Sequence, residues 1–148
     1  MTIQAGDPAP DVTARNQNGD AVTLEFDDPT VVYFYPRDGT PGCTLEAREF
    51  EADIESFRRT GVTVYGVSTD DVDSHREFAD EEDLSFDLLA DPDVAMADAF
   101  GVETKGEFVD RVTFVLADGE VKAVVDADTM NPEGHAADVL EVVEAVAE

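Results

Sequence analysis

The chain has 148 residues, 43% of them hydrophobic, enough for a single domain over residues 1–148 with its own apolar core; its one cysteine excludes a fold stapled by internal disulfides. Against 36 acidic residues stand 9 basic ones, a formal net charge of -27, and such a surface lacks the basic footprint that binds nucleic acid or an anionic membrane. No apolar run approaches the roughly 18 residues of a membrane span, and residues 1–7 carry neither the basic region nor the apolar run of a secretory signal. These features point to a soluble, cytoplasmic protein. The acids are spread through segments that keep regular apolar periodicity, which argues against a disordered acidic tail. They fit adaptation to high salt, a halophilic setting in which counterions screen the self-repulsion of like charges.

In chain order, residues 11–15 and 21–26 flank Asn18-Gly19, a hairpin signal. Residues 30–35, a β-branched and aromatic run, predict a strand buried on both faces, and Pro36 ends it. A loop with Gly39, Pro41 and Gly42 leads to a helix beginning around Cys43, whose apolar stripe is Ala47, Phe50, Ile54 and Phe57; Gly61 closes that segment. Residues 62–67 form a second buried strand. Ser68-Thr69-Asp70 offers N-cap residues for a polar helix over 72–83. Residues 86–90 are a short strand, and Asp91-Pro92 opens a short helix that Gly101 closes. Strands over 111–116 and 121–126 meet at Asp118-Gly119, a second hairpin signal. A last helix starts near Asn131-Pro132 with Val139, Val143 and Val146 on one side. Strands alternating with helices imply a central sheet with helices on both faces, made mixed by the closing hairpin. The order is that of a thioredoxin-like α/β fold with an N-terminal β-hairpin.

The stretch from Tyr35 to Glu46 carries the chemistry. A cysteine in the first turn of a helix sits among unpaired N–H groups at the positive end of the helix dipole. Both favour the thiolate, which is the nucleophile. Thr40, across a Pro-Gly turn, can bring its hydroxyl back toward the sulfur, where it could donate to the thiolate. Pro36 and Pro41 stiffen the loop. A lone cysteine in an arbitrary protein is more often an inert buried hydrophobe; the strand–loop–helix placement argues for a reactive one without naming its reaction.

Pro36-x-x-x-Thr40-x-x-Cys43 resembles the active-site pattern of peroxiredoxins. The longer Phe34-Tyr35-Pro36…Thr40-Pro41-Gly42-Cys43-Thr44-x-Glu46…Phe50 is similar to their Q-type branch, also called bacterioferritin comigratory proteins. The likeness runs from Gly6-Asp7-x-Ala9-Pro10 to the final helix, and Arg111-x-Thr113-Phe114 falls where that family has its catalytic arginine. The resemblance implies a thiol-dependent peroxidase without cofactor. In it Cys43 attacks a peroxide oxygen and becomes a sulfenic acid. Arg111 lowers the thiol pKa and polarises the O–O bond, Thr40 with the N–H groups of Gly42 and Cys43 orients the peroxide, and Pro36 shields the sulfenic acid. Glu46 orients an arginine through a carboxylate pair or is simply an acid favoured at a helix start. Without the family pattern, nothing in the sequence selects Arg111 over Arg37 or Arg48.

Many Q-type relatives carry a resolving cysteine five residues after the peroxidatic one; here that position is Arg48. The expected cycle is therefore a one-cysteine one, reset by an external thiol or a thioredoxin-like reductant. A disulfide oxidoreductase would need Cys-x-x-Cys, but residue 46 is glutamate; a peroxide sensor or chaperone-like partner is the non-enzymatic alternative. His75 and His135 lie in polar stretches and read as surface residues, and no cluster has the spacing of a metal site. Relatives of this branch imply a monomer or weak homodimer.

Overall fold

The computed structural model describes residues 3–105, 108–126 and 133–147. The chain begins with strands Val12–Asn16 (β1), Ala21–Leu24 (β2) and Thr30–Phe34 (β3), followed by helices Pro41–Ala52 (α1) and Ile54–Arg59 (α2). Strand Thr63–Ser68 (β4), helix Val72–Glu81 (α3), strand Asp87–Ala90 (β5) and helix Ala95–Phe100 (α4) come next. Short strands Thr104–Lys105 (β6) and Phe108–Val109 (β7) form a separate small ribbon. Strands Val112–Ala117 (β8) and Glu120–Asp126 (β9) then lead to helix His135–Ala147 (α5).

Seven strands make one mixed sheet in the order β2-β1-β5-β4-β3-β8-β9. Strand β3 runs parallel to β4 on one side and antiparallel to β8 on the other. Its five residues are all buried, as a continuous apolar run requires in a strand covered on both faces. The pleat sends Val31 and Tyr33 to one face, against Phe50, Phe57, Phe78 and Val139 from α1, α2, α3 and α5. It sends Val32 and Phe34 to the other, against Met96 and Phe100 of α4. This is the expected thioredoxin-like arrangement, and it roots the active-site loop in the middle of the sheet.

Several boundaries differ from expectation for local reasons. Strand β2 stops at Leu24 because Phe26 turns to φ 60° and drives its ring onto Phe100. The stripe from Ala47 to Phe57 is buried as read, but the chain breaks at Asp53 into two helices. The cap of α3 is Asp71, whose carboxylate accepts from the N–H of Ser74, and the helix ends at Glu81. Before α4, Asp91 accepts from the N–H groups of Met96 and Ala97, so the acid before Pro92 does the capping. Asp118 and Gly119 both take positive φ, as a tight hairpin between β8 and β9 demands. The expected helix start at Asn131-Pro132 lies outside the described residues. Val139 and Val143 are buried, whereas Val146 is 39% exposed because the last turn of α5 runs into solvent.

Candidate active site

Strand β3 ends in the centre of the sheet, and residues 35–40 turn the chain into α1 with Thr40 as its extended N-cap and Pro41 in the first turn. The first helical bond runs from the Thr44 N–H to the Thr40 carbonyl, so the N–H groups of Gly42 and Cys43 precede the intrahelical ladder. Cys43 occupies this turn and is 1% exposed, packed into the core under α1 and α5. Thr40 directs its hydroxyl proton to the Arg37 carbonyl at 3.1 Å and not to the sulfur. Pro36 is half-buried at the start of the loop.

Arg111 enters from the residue before β8, and antiparallel pairing brings Val112 opposite Phe34, beside the loop. Its Nη2 donates to Cys43 Sγ at 3.4 Å and its Nη1 to Glu46 Oε1 at 2.6 Å. Glu46 follows Cys43 by nearly one helical turn and so shares its face. Both members of the ion pair are almost wholly enclosed. The structure thus brings Cys43, Glu46 and Arg111 together. Arg37 lies instead over the Phe108 ring at 5.9 Å, and Arg48 pairs with Glu82 at the surface. Burial pushes the Glu46 carboxyl up to about 7, opposed by the charge and hydrogen bond of Arg111. Burial disfavours the Arg111 charge, but Glu46 and Cys43 more than offset this and hold it above its ordinary range.

Neither histidine is at the surface. His135 is buried at the head of α5, its Nε2 2.7 Å from Thr113 Oγ1 and 3.9 Å from Glu46 Oε2. Burial lowers its pKa, and the nearby Arg111 charge lowers it further, against the pull of Asp138 and Asp126. His75 is wholly buried under α3, with Nε2 3.0 Å from the Leu89 carbonyl and Nδ1 2.7 Å from Asp38 Oδ2. Helical spacing held this information: His75 shares a face with Phe78 and Ala79, and His135 with Val139 and Val143.

Asp38, which the sequence did not single out, ties the loop to α3. Its Oδ1 accepts from the Tyr35 hydroxyl at 2.5 Å, and its Oδ2 accepts from Ser74 Oγ at 2.8 Å and faces His75. Its N–H donates to Asp70 Oδ2, which also accepts from Ser68 Oγ. Asp38, Asp70 and His75 place three potential ligand atoms within 4.8 Å of one another, a cluster the sequence spacing did not reveal. These atoms are already engaged in the hydrogen bonds just described. Among the described residues no helix is long and apolar enough to cross a membrane.

Residues 5–124 match the model of the AhpC/TSA family. A chloroplastic peroxiredoxin Q of Oryza sativa subsp. japonica is 37% identical, over 97% of this chain and 68% of its own. Peroxiredoxin Bcp of Bacillus subtilis is 34% identical over 100% of this chain and 99% of its own. The solved structure of a Xanthomonas campestris bacterioferritin comigratory protein, described with its alkyl peroxide reduction activity, superposes with a TM-score of 0.86 at 30% identity. That match covers 100% of this chain and 99% of the other. With a single cysteine at the head of α1 and an arginine on its sulfur, the chain belongs to the AhpC/TSA family, in its peroxiredoxin Q/Bcp branch of thiol-dependent peroxidases.

Proposed function

We propose that the chain reduces hydrogen peroxide and organic hydroperoxides at Cys43 and is reset by a thiol from outside the chain. The observation that carries this reading is the Arg111 guanidinium held against the only sulfhydryl of the protein. The thiolate attacks one peroxide oxygen, the S–O bond forms, the O–O bond breaks, and the departing alkoxide or hydroxide takes up a proton. Sulfur is oxidised to the sulfenic acid and the peroxide is reduced to an alcohol or water. Arg111 and the N–H groups of Gly42 and Cys43 face the charge that moves onto the leaving oxygen. Thr40 turns its hydroxyl from the Arg37 carbonyl to the peroxide when substrate arrives, and Pro36 covers the sulfenic acid. An external small thiol or thioredoxin-like protein then displaces water to form a mixed disulfide, and a second thiol releases Cys43.

The strongly acidic surface supports a halophilic setting, which goes with a cytoplasmic protein, and likeness to the Q-type branch supports a monomer or weak homodimer. Neither a cofactor nor a metal takes part in these steps. Purified protein with a dithiol at high salt is expected to consume peroxide, and Cys43→Ser to abolish turnover. A sulfenic-acid trap is expected to add one label per chain. Full activity of Cys43→Ser would refute the reading.

A further inference from the structure

Arg111 is a single permanent cation placed between two groups that can each become an anion, Glu46 at 2.6 Å and Cys43 at 3.4 Å. All three side chains are enclosed, so the charges they carry are poorly screened by water or salt. Among the described residues, the other titratable groups around Glu46 do not supply a second cation. On α1 itself, Glu49 adds negative charge and is held nearby, accepting from the Gly134 N–H at 2.7 Å. Tyr33 of β3 bears a hydroxyl that burial, then Glu46 and Cys43, hold firmly in its neutral form. His135 of α5 is pushed toward its neutral form by burial and by Arg111. Asp138, Glu141 and Glu144 of α5, and Glu55, Arg58 and Arg59 of α2, are exposed. With Glu46 and Cys43 both ionised, the pocket would hold two anions on one cation, and Glu46 Oε2 would remain buried without a hydrogen bond.

We propose that Glu46 is the proton store of the Cys43 reaction, so that the thiol ionises as the carboxylate takes up a proton and Arg111 serves one anion at a time. The inference rests on the peroxidase reading of this site. Cys43 loses its proton as Glu46 gains one, which leaves the thiolate paired with Arg111. When the S–O bond forms and the O–O bond breaks, the negative charge leaves with the alkoxide or hydroxide. Glu46 then ionises again beside Arg111, and the proton it gives up balances the one that converts the leaving group to alcohol or water. The open Oε2 lies toward His135 Nε2, the nearest nitrogen able to accept from a protonated carboxyl once Thr113 turns aside. Glu46 acts through Arg111 and is therefore a positioning residue, with its charge state as the working part.

The test separates this from simple orientation of the arginine. In full-length protein at high salt, the rate of Cys43 alkylation by iodoacetamide is measured against pH for the wild type and Glu46→Gln. The amide keeps an oxygen for the Arg111 bond but removes the competing anion. Its thiolate is expected to form at lower pH, alkylation at acidic pH rising about ten-fold for each unit the midpoint falls. An unchanged or raised midpoint would overturn the proposal, because a residue that only aims Arg111 can do no better than preserve it. If the variant fails to fold, infrared difference spectra of the wild type on alkylation give an independent reading. Loss of a protonated-carboxyl band as the thiolate is consumed is expected, and its absence at neutral pH would refute the inference. Neither measurement uses peroxide, so failure of the peroxidase assay would strike the proposed function separately.

Discussion

Asp38→Ala tests how firmly the active-site loop is held. The substitution removes the acceptor of the Tyr35 and Ser74 hydroxyls and the partner of the His75 ring. Ser74 is half-buried and can turn to water, so its loss is small. The Tyr35 hydroxyl has His75 Nδ1 at 3.4 Å as a substitute partner, which recovers part of a second bond. The His75 ring itself loses a close carboxylate in a wholly buried position. One to two uncompensated buried polar groups, at about 2 kcal/mol each, give an expected loss of about 2–4 kcal/mol. With a urea slope of about 1–3 kcal/mol/M, the unfolding midpoint falls by about 1 M or more. Asp38→Asn, which keeps one carbonyl oxygen, is expected to lose less. Urea unfolding at high salt, followed by far-UV circular dichroism, gives both numbers, and Cys43 alkylation is expected to quicken as the loop loosens. A stability change below about 1 kcal/mol at unchanged slope would show that this network does not hold the loop, and the hydrogen-bond count behind the estimate would be wrong.

Gly66→Ala is expected to cost about 1–3 kcal/mol by overpacking, measured in the same unfolding assay. A Cβ there would meet Tyr33 Cζ at 2.8 Å and Leu88 Cδ2 at 2.9 Å, and both side chains are buried. Glu46 gives a pH signature in stability. Its folded value of about 7 lies above its ordinary 4.5, so the folded state binds the extra proton between these values. Stability from this source is present below pH 4.5 and falls as pH rises through about 7, by at most roughly 3 kcal/mol. His135 works in the opposite sense, its contribution being present above the ordinary 6.5 and lost as pH falls through its lowered folded value. Subtracting the pH–stability curve of Glu46→Gln from that of the wild type isolates the first effect from the repulsion among the other carboxylates. A flat difference across that range would refute it.

The fold was legible wherever one residue pattern had one structural solution. The run over residues 30–35 could only be a doubly covered strand, and the Ala47–Phe57 stripe only a helix face on a core. Cys43 was legible because its position after a strand and a Pro-Gly turn puts it in the first turn of a helix. Arg111 was not legible from chemistry alone. It stands 68 residues away in sequence from its sulfur, and only the register of β8 against β3 brings it there. Family likeness selected it over Arg37 and Arg48. The two histidines were misjudged because their sequence neighbours are polar, while their helical neighbours at spacings of three and four are apolar. Asp38 left no mark because an acid in a loop ordinarily faces water. Its burial depends on Ser74 and His75, 36 and 37 residues away in sequence but side by side in the fold.

Strand β3 and the residue after it also decide what light the protein emits. The chain has no tryptophan and only three tyrosines, of which Tyr33 and Tyr35 lie on the approach to Cys43. Tyr33 stacks on Phe50 with ring centroids 4.4 Å apart, one helical turn beyond Glu46, while the hydroxyl of Tyr35 is bonded to Asp38. Intrinsic fluorescence of the unmodified protein is thus weighted toward its reactive centre. A stopped-flow trace after mixing with peroxide or thiol would follow the loop itself, with no dye attached and no residue replaced.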